Sequence, residues 1–333
     1  MSPRTLLFGL IGLLVFGIAV FSCDPAAIAS ALSAIGWQGA LALSIWRLIP
    51  IGLCVVGLWI LSPSQAGVTV SSATSARLAR DGVAALLPIL PAGGEIIGAR
   101  VLTLAGVDAA LALGLLVADV TVEMAAQAAF SVIGVGALFI ALPGSGAGLW
   151  AFWAVILPVL MVIGLALMQH PRVLEKLEVL AEKMAGDAVP AGQIIPAIKS
   201  IYKTRSKVMW CFGLHFAGWM LGIGEAWMAL VWLGHPLPLT SVLALESVVF
   251  ALKGVAFIIP WSVGVQEGGY MALGAALGVP PELALTLALV KRLPDVALGL
   301  PGLGLWQLAE KGQAKYLAMT GSKLSGASVG AKR

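Results

Sequence analysis

Apolar runs close to the thickness of a bilayer core alternate with short polar turns along the whole chain. Residues 5–22, 38–61, 148–168 and 207–233 are clear runs, and 107–141 and 282–309 are longer ones spotted with polar residues. A helix of about 20 apolar residues crosses the hydrocarbon, so the pattern predicts six full spans. Two further stretches, 82–106 and 241–279, are equally apolar but interrupted near the middle by Pro and Gly. Each half is too short to cross comfortably. Broken backbone at membrane depth is tolerated only where protein or a wet cavity covers it, which predicts two re-entrant hairpins.

The interrupted stretches share a pattern at a single offset of 172 residues. Gly82-Val83-Ala84, Pro88, Glu95 and Gly106-Val107 recur as Gly254-Val255-Ala256, Pro260, Glu267 and Gly278-Val279. Matches of Ala and Leu carry little weight in so apolar a chain. The proline, the glutamate and the Gly-Val step, held in one register, carry more. Set against coincidence in a biased composition, a costly intramembrane acid duplicated beside helix breakers favours a two-fold transport architecture.

Composition narrows the class. At 60% hydrophobic and 11% charged residues, with mean hydropathy +1.00, the chain has about half the charged fraction of a soluble domain. The expected fold is an all-α, polytopic helical membrane protein. Its single membrane domain covers 1–310, with inverted repeats at about 82–123 and 254–295, and residues 311–333 form a basic tail expected to be disordered. The net charge of +4 gives no sign of nucleic-acid binding. Its placement sets topology instead. The 169–207 segment, the tail, and Arg77 with Arg80 ahead of the first hairpin are all expected on the cytoplasmic side. Both termini then lie inside, and the two hairpins enter from opposite faces. Within 169–207, Val173, Leu177, Leu180 and Met184 share one helical face, predicting an amphipathic helix on the membrane surface or against the bundle.

Candidate chemistry rests on ionisable groups at membrane depth, each costing roughly 2.5–3.5 kcal/mol unless paired or hydrated. Asp119 and Glu123 stand four apart on one helical face, and the offset carries them onto Lys291 and Asp295. Asp119 or Glu123 is therefore expected to pair with Lys291 or Arg292 across the bundle, as structural stitching or as the lining of a path. Glu95 and Glu267 stand beside glycines at the hairpin tips, placed to cap free amides, to meet a head group, or both. Cys23, Cys54 and Cys211, like His170, His215 and His235, show no metal-ligand spacing, so no metal is expected. No nucleophile–base arrangement or nucleotide loop stands out; neither catalysis nor a cofactor is expected.

The run Pro91-Ala92-Gly93-Gly94-Glu95-Ile96-Ile97-Gly98-Ala99-Arg100 and the later Gly264-Val265-Gln266-Glu267-Gly268-Gly269-Tyr270 resemble paired motifs of a flippase-like family. That family is the transmembrane region of lysylphosphatidylglycerol synthases, and Lys291-Arg292 with Asp295 resembles its closing helix. The likeness is nearest to stand-alone members associated with hopanoid biosynthesis. It implies lipid handling, with Glu95, Arg100, Glu267, Lys291, Arg292 and Asp295 lining a lipid path. Arg47, Asp119 and Glu123 join them as candidate substrate-binding residues on their intramembrane charge. After residue 310 the sequence leaves no room for a soluble aminoacyl-transfer domain, so synthase activity is not expected. The implied role is translocation or positioning of a lipid between leaflets of the inner membrane, with lipid-biosynthesis enzymes as candidate partners. The alternatives are a secondary transporter of a small solute and a non-transporting scaffold for a lipid-synthesis complex.

Overall fold

A computed structural model describes residues 21–87, 93–142, 192–256 and 262–330, with scattered single positions elsewhere. The described residues form helices and no strand: α1 (Pro25–Leu61), α2 (Val70–Leu86), α3 (Gly93–Leu104), α4 (Ala109–Ala141) and α5 (Ile194–Tyr202). They continue as α6 (Arg205–Trp232), α7 (Leu239–Val255), α8 (Val265–Ala276), α9 (Pro281–Val290) and α10 (Leu293–Gly330). Three of them, α1, α4 and α6, are long and apolar enough to cross a membrane. The expected spans 5–22 and 148–168, the amphipathic stretch around 173–184 and the first hairpin tip fall essentially outside the described residues.

Local chemistry sets the helix ends. Asp24 caps α1 by accepting from the Ala26 amide at 2.9 Å, and Pro25 occupies the first helical position, where no amide is missed. Thr69 and Ser72 form a reciprocal capping box at the start of α2. Gly106 and Gly278 end α3 and α8 with positive φ (94° and 80°), a conformation that disfavours a side chain.

One sequence expectation changes. The run 282–309 is not one span: it breaks at Lys291-Arg292 between α9 and α10. Pro294 contributes to the break, since proline is accommodated in a first helical turn but not in a helix interior.

The repeat is longer than its sequence signature. Shifted by 172 residues, α3 falls on α8 end to end, and the first residue of α4 falls on the first of α9. The same shift carries most of α2 onto α7 and residues 33–60 of α1 onto α6. Each half is therefore a long helix, two short helices and a closing helix, with the closing helix of the second half broken in two.

Packing repeats the same equivalence. The paired helices α1 and α6 lie antiparallel: Gly39 faces Trp232 at one end, Pro50 meets Gly218 in the middle, and Gly57 faces Cys211 at the other. The halves also exchange contacts, α2 packing on α10 and α4 on α7. At the first crossing a Cβ on Gly82 would stand 2.6 Å from the Gly299 carbonyl oxygen, so only glycine fits. At the second, Gln127 donates to the Phe250 carbonyl at 3.0 Å. These exchanges are those of a pseudo-two-fold relation that swaps α1 with α6.

Two apolar cores lie at the two ends of the bundle. One gathers Leu58, Leu102, Leu116 and Ile198, the other Leu43, Phe130, Leu245 and Tyr270. Along α1, Arg47 falls between them; along α4 Glu123 does, and along α6 His215. The charged residues thus form a belt at mid-height.

Candidate functional site

The belt contains two ion networks. In the first, two arginines three apart on α2 face two acids four apart on α4, spacings that place each pair on one helical face. Arg77 forms a fork to Glu123 (2.8 and 3.1 Å) and a bond to Asp81 (2.8 Å). Arg80 reaches Glu123 at 2.8 Å, Glu95 at 3.3 Å and Asp119 at 3.4 Å. Asp119, fully buried, also meets His215 Nε2 at 2.9 Å, and Cys211 stands beside it.

The second network involves α1, α6, α7, α8 and the α9–α10 break. Arg47 forks onto Glu225 (2.6 and 2.7 Å) and donates to Asp295 at 2.9 Å. Lys291 is bound to Glu246, which also accepts from Tyr270 at 2.5 Å. Arg292 donates to Glu267 Oε1 (2.6 and 2.9 Å), while Glu267 Oε2 accepts from the Gly264 amide at 2.8 Å. That glutamate is both a helix cap and an ion-pair partner. Lys253 donates to Gln266 at 2.6 Å.

Two expectations are corrected here. Arg77 and Arg80 are not solvent-facing flanking charges: they are 7% and 8% exposed. The packing of α2 against α3 and α10 carries them inside, where four carboxylates converge on them. Asp119 and Glu123 do not pair with Lys291 or Arg292; the α2 arginines take that place, and Lys291 and Arg292 turn to Glu246 and Glu267. Arg100 stands apart from both networks, paired with Glu310 at 2.9 and 3.0 Å where both side chains are over a third exposed.

Among the singled-out residues, Glu95, Asp119 and Glu123 share the first network, and Arg47, Glu267, Lys291, Arg292 and Asp295 the second. Sequence reasoning left Arg77, Arg80, Asp81, Glu225 and Glu246 off the site. The paired spacing of Arg77/Arg80 and Asp119/Glu123 was a usable signal for the first two.

Between the networks lies a cavity of about 250 Å³. Its wall contains repeat-equivalent pairs: Arg47 and Trp219, Pro50 and Gly222, Leu78 and Phe250, Glu123 and Asp295. A cavity lined by both members of such pairs sits on the pseudo-two-fold axis. Its remaining polar wall is Arg77, Asp81, His215, Glu225 and Lys291.

A helical membrane protein of two equivalent halves, closed around a charged cavity at mid-height, is the class that fold and site define. The chain matches the model of the family described as lysylphosphatidylglycerol synthase TM region over residues 7–302, and it belongs to that family. That places it among membrane proteins of lipid-related function. Comparisons with curated proteins and with solved structures gave no match.

Proposed function

We propose that this protein translocates or positions a lipid between the leaflets of the cytoplasmic membrane, with the head group in the central cavity and the apolar body in the bilayer. The observation that carries this reading is the cavity's position on the pseudo-two-fold axis, between two apolar cores. Equivalent helices packed antiparallel are what an inverted-topology repeat requires when those helices span the membrane, and such repeats place their substrate site near the midplane. In this reading α2–α3 and α7–α8 are the two re-entrant hairpins, both termini are cytoplasmic, and α1, α4 and α6 are three of the six spans.

The wall chemistry selects the head group. Arg47 and Arg77 already donate to two carboxylates each, and Lys291 is held by Glu246. Acceptor capacity is what remains, on Asp81, Glu123 and Asp295. A donor-rich head group, an amine or a polyol such as a hopanoid-type lipid carries, fits that wall better than a phosphate monoester. The cost of burying the acids is then offset in part by the substrate itself.

The test is leaflet-resolved transport of amine-bearing, polyol and anionic lipids in proteoliposomes. Wild type is expected to move the donor-rich lipids, and Glu123→Gln and Asp295→Asn to slow them by more than about tenfold, the cost of one charge-assisted hydrogen bond. Equal rates in wild type and both variants would remove the cavity from the mechanism. A scaffold role in a lipid-synthesis complex is the second reading, favoured by the dense pairing of cations. It predicts no transport of any lipid by the purified protein and co-purification with a lipid-modifying enzyme.

A further inference from the structure

We propose that Cys54, Glu123 and His215 form a binding site for a divalent transition-metal ion of the zinc type, opening onto the central cavity. The three come from different helices, α1, α4 and α6, and their ligand atoms lie within 4.8 Å of one another. All three line the cavity wall. Nothing in their sequence spacing announces a site, because the helix packing alone assembles it.

His215 supplies the second observation. It is 1% exposed; its Nε2 is engaged by Asp119 at 2.9 Å, while its Nδ1 is buried and makes no hydrogen bond. Buried polar atoms are nearly always satisfied, so this nitrogen lacks a partner that the site is built to receive. A carboxylate on one imidazole nitrogen and a metal on the other is the usual arrangement of a metal-binding histidine. Asp119 is the orienting carboxylate here, with its other oxygen near Arg80.

Charge balance points the same way. Among the described residues, the first network holds four carboxylates, Asp81, Glu95, Asp119 and Glu123, against the two guanidiniums of Arg77 and Arg80. The second holds four acids, Glu225, Glu246, Glu267 and Asp295, near four bases, Arg47, Lys253, Lys291 and Arg292. Asp81 and Glu95 keep partial exposure, and a dication beside Glu123 offsets the remaining excess of negative charge in part, the Cys54 thiolate contributing one charge of its own. Glu123 accepts three hydrogen bonds, two from Arg77 and one from Arg80. A carboxylate offers about four acceptor sites, so one remains for a metal.

The ligand types narrow the ion. Thiolate and imidazole favour zinc or a similar borderline metal over magnesium or calcium, which take oxygen. Three protein ligands leave a fourth position directed at the cavity, open to water or to a ligand atom.

The test is metal content of the full-length protein, purified in detergent from cells grown with Zn²⁺, with Co²⁺ substitution as a spectroscopic probe. Wild type is expected to hold about one Zn²⁺ per chain, and its Co²⁺ form to show a thiolate-to-metal band. His215→Gln and Cys54→Ala should lose the metal, and Asp119→Asn should bind it about 10–100-fold more weakly. The double variant Cys23→Ala/Cys211→Ala leaves Cys54 as the sole thiol and should keep both metal and band. That variant decides the matter even where removing Cys54 prevents folding. Absence of Zn²⁺ and Co²⁺ binding in wild type, or loss of the thiolate band in the double variant, overturns the proposal. The readout needs no lipid movement, so it stands or falls separately from the transport reading.

Discussion

The two halves of this protein solve one problem differently: each buries a carboxylate at the start of its third helix and must find it a cation. In the first half Glu95 meets Arg80, which comes from the preceding helix and is shared with Asp119 and Glu123. In the second half Glu267 meets Arg292, which lies in the break between α9 and α10. One half thus shares two arginines among several acids inside continuous helices. The other gives Glu246 and Glu267 bases of their own at an interrupted helix, while Glu225 and Asp295 share Arg47. The 172-residue offset carries Glu95 onto Glu267 and Glu123 onto Asp295, but the cation that meets each is drawn from a different place in each half.

The largest expected effect comes from removing a shared cation. Arg80→Leu leaves Glu95 without its cation and takes one donor each from Asp119 and Glu123, and is expected to cost about 3–5 kcal/mol, the usual penalty for breaking a buried pair. Loss of monodisperse protein, or a large fall in melting temperature in detergent, is the readout. If the second half's pairs are independent, Glu246→Leu should cost less than Arg80→Leu, because it strands only Lys291 and the Tyr270 hydroxyl. An equal loss in both would show that the halves share one network across the cavity.

Gly82→Val tests the crossing between halves. Overpacking against Gly299 is expected to destabilise by about 1–3 kcal/mol, measured in the same melting assay. A neutral result would mean that α2 and α10 separate readily. The smallest effect belongs to Arg100→Ala, whose partly exposed pair with Glu310 is expected to contribute about 0–1 kcal/mol. A loss comparable with Arg80→Leu would bring Arg100 back into the site from which its position removes it.

Much of the architecture was legible in the sequence for physical reasons. The repeat showed because glycine, proline and a buried acid are each costly to misplace in a membrane, so their register is preserved where Leu and Ala drift. The extent of the repeat was not legible, since α1 and α6 correspond only in length and apolar character. Glu95 and Glu267 were found by their duplication. Arg77 and Arg80 were misplaced because charge counting assigns arginines near the end of an apolar run to the water interface. Their true surroundings depend on acids found on α3 and α4, brought together only by packing. The broken closing helix was hidden because Lys291-Arg292 reads equally well as two charges on a continuous span. Cys54 and His215 gave no metal-ligand spacing, their proximity depending on the antiparallel seating of α1 on α6.

The glycine-to-glycine crossing of α2 on α10 also bears on biosynthesis. Gly82 leaves the ribosome well before its seat at Gly299, with six of the described helices made between α3 and α10. Until then α2, carrying Arg77 and Arg80, has no permanent neighbour on that face and must be sheltered by the insertion machinery or by α3 and α4. The packing of α2 therefore waits on α10, and a nascent chain stalled before α10 should remain sensitive to quality-control proteolysis.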